Sequence, residues 1–113
     1  MNSVIWKSRK EFADKMLSDY PDKVPVILAP FNSSSNSYNL PQSKFLVPRQ
    51  FTFHDFIFVV RKKLRLSPKE SLFLMVNTSI FPNMSRSMHS IYDENKSTDN
   101  FLYIFFSSEP VWG

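Results

Sequence analysis

Gly113 is the only glycine in the sequence and occupies its last position. Average usage of about 7% would place roughly eight glycines in a chain of this length, so the composition points to the terminus. A boundary imposed on the chain explains this placement as well as chemistry does. Read as chemistry, it makes the terminal carboxyl the reactive group, carried on a residue without a Cβ. Other reactive residue types are sparse. The absence of cysteine excludes a disulfide framework, a zinc-thiolate site and a cysteine nucleophile, so any thiol involved belongs to a partner. His54 and His89 read as isolated, with no second ligand or carboxylate at metal spacing. No Ser-His-Asp order occurs, and one glycine cannot build a P-loop or a Gly-rich phosphate cradle. Neither an enzyme nor a cofactor is expected.

The formal charge of +4 and a pI near 9.5 favour acidic partners: acidic peptides, anionic lipid headgroups or nucleic acid. Nucleic acid is the weakest of these. Arg61-Lys62-Lys63 and Arg65 form a basic run, but the aromatic residues lie on apolar strand and helix faces and do not interleave with basic residues as a stacking platform would. No apolar run approaches the roughly 18 residues of a membrane span, and residues 1–6 lack the charge and apolar length of a signal peptide, so a cytoplasmic protein is expected. The Asn-x-Ser/Thr matches at Asn32, Asn77, Asn83 and Asn95 are discounted in a chain so rich in Asn and Ser.

The elements that must position these groups follow from periodicity. Phe12 and Met16 recur at i, i+4 among charged residues between Ser8 and Asp19, a short amphipathic helix that Tyr20-Pro21 ends. Val24 to Ala29 reads as a strand, with Pro25 unable to donate to a ladder. The Ser, Asn and Pro cluster from Pro30 to Ser43 is a surface loop. A short strand over Lys44 to Val47 then places Lys44 and Leu46 on one face and Phe45 and Val47 on the other. Thr52 and Asp55 form a capping-box variant, opening a helix through about Leu64 whose stripe is Phe53, Phe56, Ile57, Val60 and Leu64. Leu72 to Val76 and Phe101 to Phe106 are continuous apolar runs expected at the centre of the sheet, with a short helix over Ser87 to Asp93 between them. The order is helix, strand, strand, helix, strand, short helix, strand. It fits an α+β ubiquitin-like β-grasp, with an N-terminal helical extension over 1–20 and a domain with its C-terminal tail over 21–113. A ferredoxin-like sandwich would need a crossover helix where the Ser/Asn loop stands.

Tyr20-Pro21-Asp22-Lys23-Val24-Pro25-Val26-Ile27, Lys44-Phe45-Leu46-Val47-Pro48, Arg61-Lys62-Lys63-Leu64, Leu72 to Asn77, Ile91-Tyr92 and Phe101-Leu102-Tyr103 resemble, in order and nearly in spacing, the blocks of the autophagy-related ubiquitin-like modifiers. That family includes the GABA-receptor-associated protein and the microtubule-associated light chains. The resemblance runs from about residue 5 to 113. It implies activation at Gly113, passage between thiols of an activating and a conjugating enzyme, attachment to phosphatidylethanolamine on autophagosomal membranes, and release by a deconjugating cysteine protease. It also implies docking of cargo receptors and adaptors that carry an aromatic-x-x-aliphatic segment, added as a strand beside Lys44 to Val47. By the same resemblance, the aromatic side chain enters a pocket of Met16, Pro25, Ile27, Lys44, Leu46 and Phe101. The aliphatic one enters a pocket of Phe45, Val47, Pro48, Phe51, Phe56 and Val59. Lys23, Lys44 and Lys63 would meet acidic flanks of such segments. Ile27 and Phe56 read as ordinary core as readily as pocket.

The chain departs from the family in four places. The leader is short, so only the helix around Ser8 to Asp19 is secure. Position 12 is Phe where a polar residue is common and position 42 is Gln where many members are basic, which implies a different peptide preference. The ending Trp112-Gly113 is shared with a sibling modifier that is joined to a protein lysine, the alternative to a lipid acceptor.

Overall fold

A β-branched run can be buried on both faces only if layers cover it above and below, and that requirement organises this molecule. The computed structural model describes residues 8–31 and 42–108. It contains α1 (Arg9–Asp19), β1 (Lys23–Pro30), β2 (Ser43–Pro48), α2 (Phe53–Leu64), β3 (Phe73–Val76), α3 (Met88–Asn95) and β4 (Leu102–Ser107). The four strands form one sheet in the order β2-β1-β4-β3. β1 runs antiparallel to β2 and parallel to β4, and β3 is antiparallel to β4. The first and last strands thus lie side by side at the centre, as expected of the α+β grasp.

Alternation along β1 divides the interior. Val24, Val26 and Leu28 point into the main core, where they meet Phe53, Phe56 and Val60 of α2 and Leu102, Ile104 and Phe106 of β4, all buried. Ile27 points to the other face and packs with Ala13 of α1 and Phe101, with Phe12 and Tyr103 against them. Pro25 lies before the parallel ladder begins at Val26 opposite Leu102, so its missing N–H interrupts no central pairing.

The capping box at α2 is complete. Thr52 Oγ1 accepts from the Asp55 amide at 3.1 Å, and Asp55 Oδ2 accepts from the Thr52 amide at 2.9 Å. The helix closes through Arg65 at φ 56°, with the Leu66 amide donating to the Arg61 carbonyl at 3.1 Å. Left-handed positions that usually take glycine fall to Arg65, Asn77 and Asn100 among the described residues. Asparagine tolerates this region, but for arginine the Cβ contact costs roughly 1 kcal/mol.

One expectation needs correction. The run Leu72 to Val76 does not lie at the centre; β3 is the edge opposite β2. Its Leu74 and Val76 face the main core, and Met75 is buried on the other side. An apolar run reports the layers above and below a strand, whereas its place in the sheet depends on lateral neighbours, which composition does not encode.

Candidate functional site

Among the described residues, β2 has a hydrogen-bonding strand neighbour on one side only, β1. Its other edge is a row of backbone donors and acceptors of the kind that template a further strand. The register fixes what flanks that edge. Lys44 opposes Ile27 and Leu46 opposes Pro25 on the α1 side; Phe45 opposes Val26 and Val47 opposes Val24 on the α2 side. Residues i and i+3 of an added strand differ by an odd number of positions, so their side chains fall on opposite faces. An aromatic-x-x-aliphatic segment has this spacing.

On the α1 side lies a groove of about 280 Å³. Met16, Pro25, Lys44, Leu46 and Phe101, named from the sequence, all line it. Ile27 lies beneath them, fully buried with Ala13 and Phe101. Two further walls are Phe12 and Phe45. Phe12 was legible as the i−4 partner of Met16 on one helix face. Its ring stands 6.0 Å from Phe101, tilted by 31°, and the Lys44 ammonium lies 5.2 Å from its centroid. This geometry falls within cation–π range.

On the α2 side Phe45 meets Phe56 edge-on at 5.7 Å and 84°, and the Lys63 ammonium lies 5.5 Å over the Phe45 ring. Phe56 and Val47 are buried in the main core, with Phe45 and Phe51 packed against it. Pro48 and Val59 are half-buried. Phe45 touches both sides: it is among the residues lining the α1 groove, while its ring packs with Phe56 and Lys63 on the α2 face. Lys23, at the start of β1, approaches Asp22 at 3.4 Å, which leaves it a weak surface pair.

α1 buries only Ala13 completely, so apolar packing alone does not fix the groove wall. A polar network adds to it. Arg9 donates to the Tyr103 hydroxyl at 2.8 Å and stacks over its ring, and that hydroxyl donates to Asp99. Asn100 donates to Asp14 at 2.7 Å, and Lys10 donates to the other Asp14 oxygen at 2.8 Å. The Lys10 and Asn100 bonds hold the Asp14 carboxyl below the usual carboxylate range. Burial, aided by the bond to Asp99, pushes the Tyr103 hydroxyl up.

The histidines need a revision. His54 is exposed, but His89 is not isolated: its Nδ1 lies 2.8 Å from an Arg49 guanidinium nitrogen and 3.1 Å from Asp93. The i, i+4 spacing of His89 and Asp93 on α3 was the signal. Among the described residues no group of His, Cys, Asp and Glu could hold a metal ion, and no helix is long and apolar enough to cross a membrane. Gly113 and Trp112 lie outside the described residues, as does the middle of the Ser/Asn loop.

Comparison with known proteins agrees with this architecture. The family model described as "Autophagy protein Atg8 ubiquitin like" matches residues 8–113. Autophagy-related protein 8 of Schizosaccharomyces pombe is 35% identical over 108 residues, covering 96% of this chain and 88% of that protein. The Emericella nidulans protein of the same name is also 35% identical, with 96% and 90% covered. The crystal structure of Trypanosoma brucei ATG8 superposes with a TM-score of 0.77 at 33% identity, covering 95% of this chain and 90% of that one. With a family model matched over residues 8–113, relatives 35% identical across 96% of the chain and a structural superposition of TM-score 0.77, this chain belongs to the Atg8 family of ubiquitin-like autophagy proteins.

Proposed function

We propose that this chain is a ubiquitin-like autophagy modifier, joined through Gly113 to phosphatidylethanolamine, that docks aromatic-x-x-aliphatic segments of cargo receptors and adaptors along β2. The observation that carries the docking reading is the outermost position of β2 among the described strands, with an apolar groove on its α1 side and the Phe45–Phe56 pair on the other. Main-chain hydrogen bonds to that edge supply affinity and the two faces supply specificity. Lys23, Lys44 and Lys63 meet acidic flanking residues. Each exposed pair contributes about 0.2 to 1 kcal/mol, so they tune on-rate and affinity more than they create binding.

Conjugation proceeds by acyl transfer. In the activating enzyme the Gly113 carboxylate attacks ATP, releasing pyrophosphate and giving an acyl adenylate. A cysteine thiolate of that enzyme displaces AMP to form a thioester, and a cysteine thiolate of the conjugating enzyme then displaces the first thiol, both thiols coming from partners because this chain has no cysteine. The lipid amine attacks the thioester carbonyl, an amide forms and the thiol leaves. A residue without a Cβ lets that carbonyl approach the thiol in a narrow groove. A cysteine protease undoes the conjugation by hydrolysis: its thiolate attacks the amide, the lipid amine leaves, and water releases the free Gly113 carboxylate. In this reading residues 1–20 are a helical extension, 21–113 form the body and tail, and the protein is cytoplasmic until conjugation moves it to the autophagosomal membrane. Reconstitution with activating and conjugating enzymes and phosphatidylethanolamine liposomes tests it. The expected result is a lipid adduct that Gly113→Ala abolishes; an adduct formed only on a protein lysine would contradict it.

A further inference from the structure

Among its lining side chains the groove between α1 and β2 holds no oxygen or nitrogen acceptor, and its one lone-pair atom is the Met16 thioether sulfur, a weak acceptor. Phe12 and Met16 of α1, Pro25 of β1, Leu46 of β2 and Phe101 are apolar, as is Phe45 at its edge, and the one polar side chain, Lys44, carries a donor without a lone pair. The Lys44 ammonium stands beside Phe12, so the polar end of the groove holds positive charge and an aromatic ring. Two carboxylates of α1 are engaged elsewhere: Asp14 with Lys10 and Asn100, and Asp19 with Lys15.

Resting on the docking reading above, we propose that this groove selects phenylalanine or tyrosine over tryptophan in the docked segment, with Phe12 as the specificity-determining residue. The indole N–H is a donor only. Buried among these walls it loses water and finds no side-chain acceptor stronger than the Met16 thioether, and the Lys44 ammonium repels its positive edge. A phenyl ring carries no such requirement, and a tyrosine hydroxyl can accept from Lys44. An unpaired buried donor weakens binding on the order of thirtyfold. The larger indole area returns on the order of fivefold, leaving a net preference of about sixfold for phenylalanine. A side chain with an acceptor at position 12 would reverse it, because that position is half-buried on the groove wall.

The test uses three peptides identical except for phenylalanine, tyrosine or tryptophan at the aromatic position, titrated by calorimetry into the full chain, Phe12→Leu and Phe12→Gln. The ratio of dissociation constants within each protein is the readout, so general damage to the groove cancels. Leucine and glutamine are both good helix formers, and circular dichroism verifies that each variant folds. The wild type should favour the phenylalanine peptide by about sixfold over the tryptophan peptide, as the unpaired donor requires. Phe12→Leu should retain that preference, and Phe12→Gln, by pairing the indole donor, should reverse it to about fivefold in favour of the tryptophan peptide, the area term alone. Equal or tighter binding of the tryptophan peptide by the wild type overturns the inference, as does a Phe12→Leu ratio that shifts as far as that of Phe12→Gln. Failure of all three peptides to bind the wild type refutes docking itself, a result distinct from a wrong selectivity.

Discussion

Leu46→Ala separates a binding role for β2 from a purely structural one. Leu46 is half-buried in the free protein and lines the α1-side groove. Truncation to alanine removes three carbons, about 2.4 kcal/mol if all were fully buried, at about 0.8 kcal/mol per methylene. In the free protein roughly half of that is already realised, so the variant should lose about 1.2 kcal/mol of stability, a fall in Tm of about 5 °C for a domain of this size. The other half, also about 1.2 kcal/mol, is gained only when a docked side chain covers the groove, so binding should weaken about sevenfold. Calorimetric titration with an aromatic-x-x-aliphatic peptide measures the second effect and a thermal melt the first. Phe58→Ala is the control. That ring is 57% exposed on α2, beneath Lys62, and its removal should leave peptide affinity unchanged. A Leu46→Ala protein whose Tm falls while its affinity stays at the wild-type value would refute the reasoning, because the leucine would then serve the fold alone.

Arg65→Gly should raise stability. The left-handed backbone at Arg65 costs an arginine roughly 1 kcal/mol that glycine avoids, partly offset by glycine's freer unfolded chain; a rise in Tm of about 2 °C is expected, and a fall would show that the arginine side chain stabilises the cap. Alkaline pH should destabilise the domain. Tyr92 is pushed up to about 12, first by burial and then by Asp14, Asp93 and Asp99, so the folded state holds a proton that the unfolded chain releases near pH 10. Its contribution is therefore complete below pH 10 and is lost as pH rises toward 12. Denaturant titrations across that window, paired with tyrosinate absorbance, should show stability and the buried phenol titrating together, and stability that rises over this range would contradict the assignment.

Much of the site was legible because period and spacing are local. The alternation of Lys44 to Val47 assigned each residue to its face, and the Phe12–Met16 spacing placed both on one side of α1. What escaped was set by neighbours distant in sequence. That β3 is an edge follows from which strands pair, and that Phe45, whose ring packs on the α2 side, also lines the α1 groove follows from how α1 and α2 flank β2. The network that pins α1 joins Arg9 to Tyr103, 94 positions away, and Asp14 to Asn100, 86 away; no local pattern announces such pairs. The lone glycine was visible at once, but its structural consequence, non-glycine residues at the left-handed turns, required the backbone.

The account rests most directly on where a partner segment adds its strand, and amide hydrogen exchange with and without an aromatic-x-x-aliphatic peptide measures this. The prediction is slowed exchange along β2 (Ser43–Pro48), with no change along the opposite edge at β3 (Phe73–Val76). Protection at β3 with β2 unchanged would contradict it.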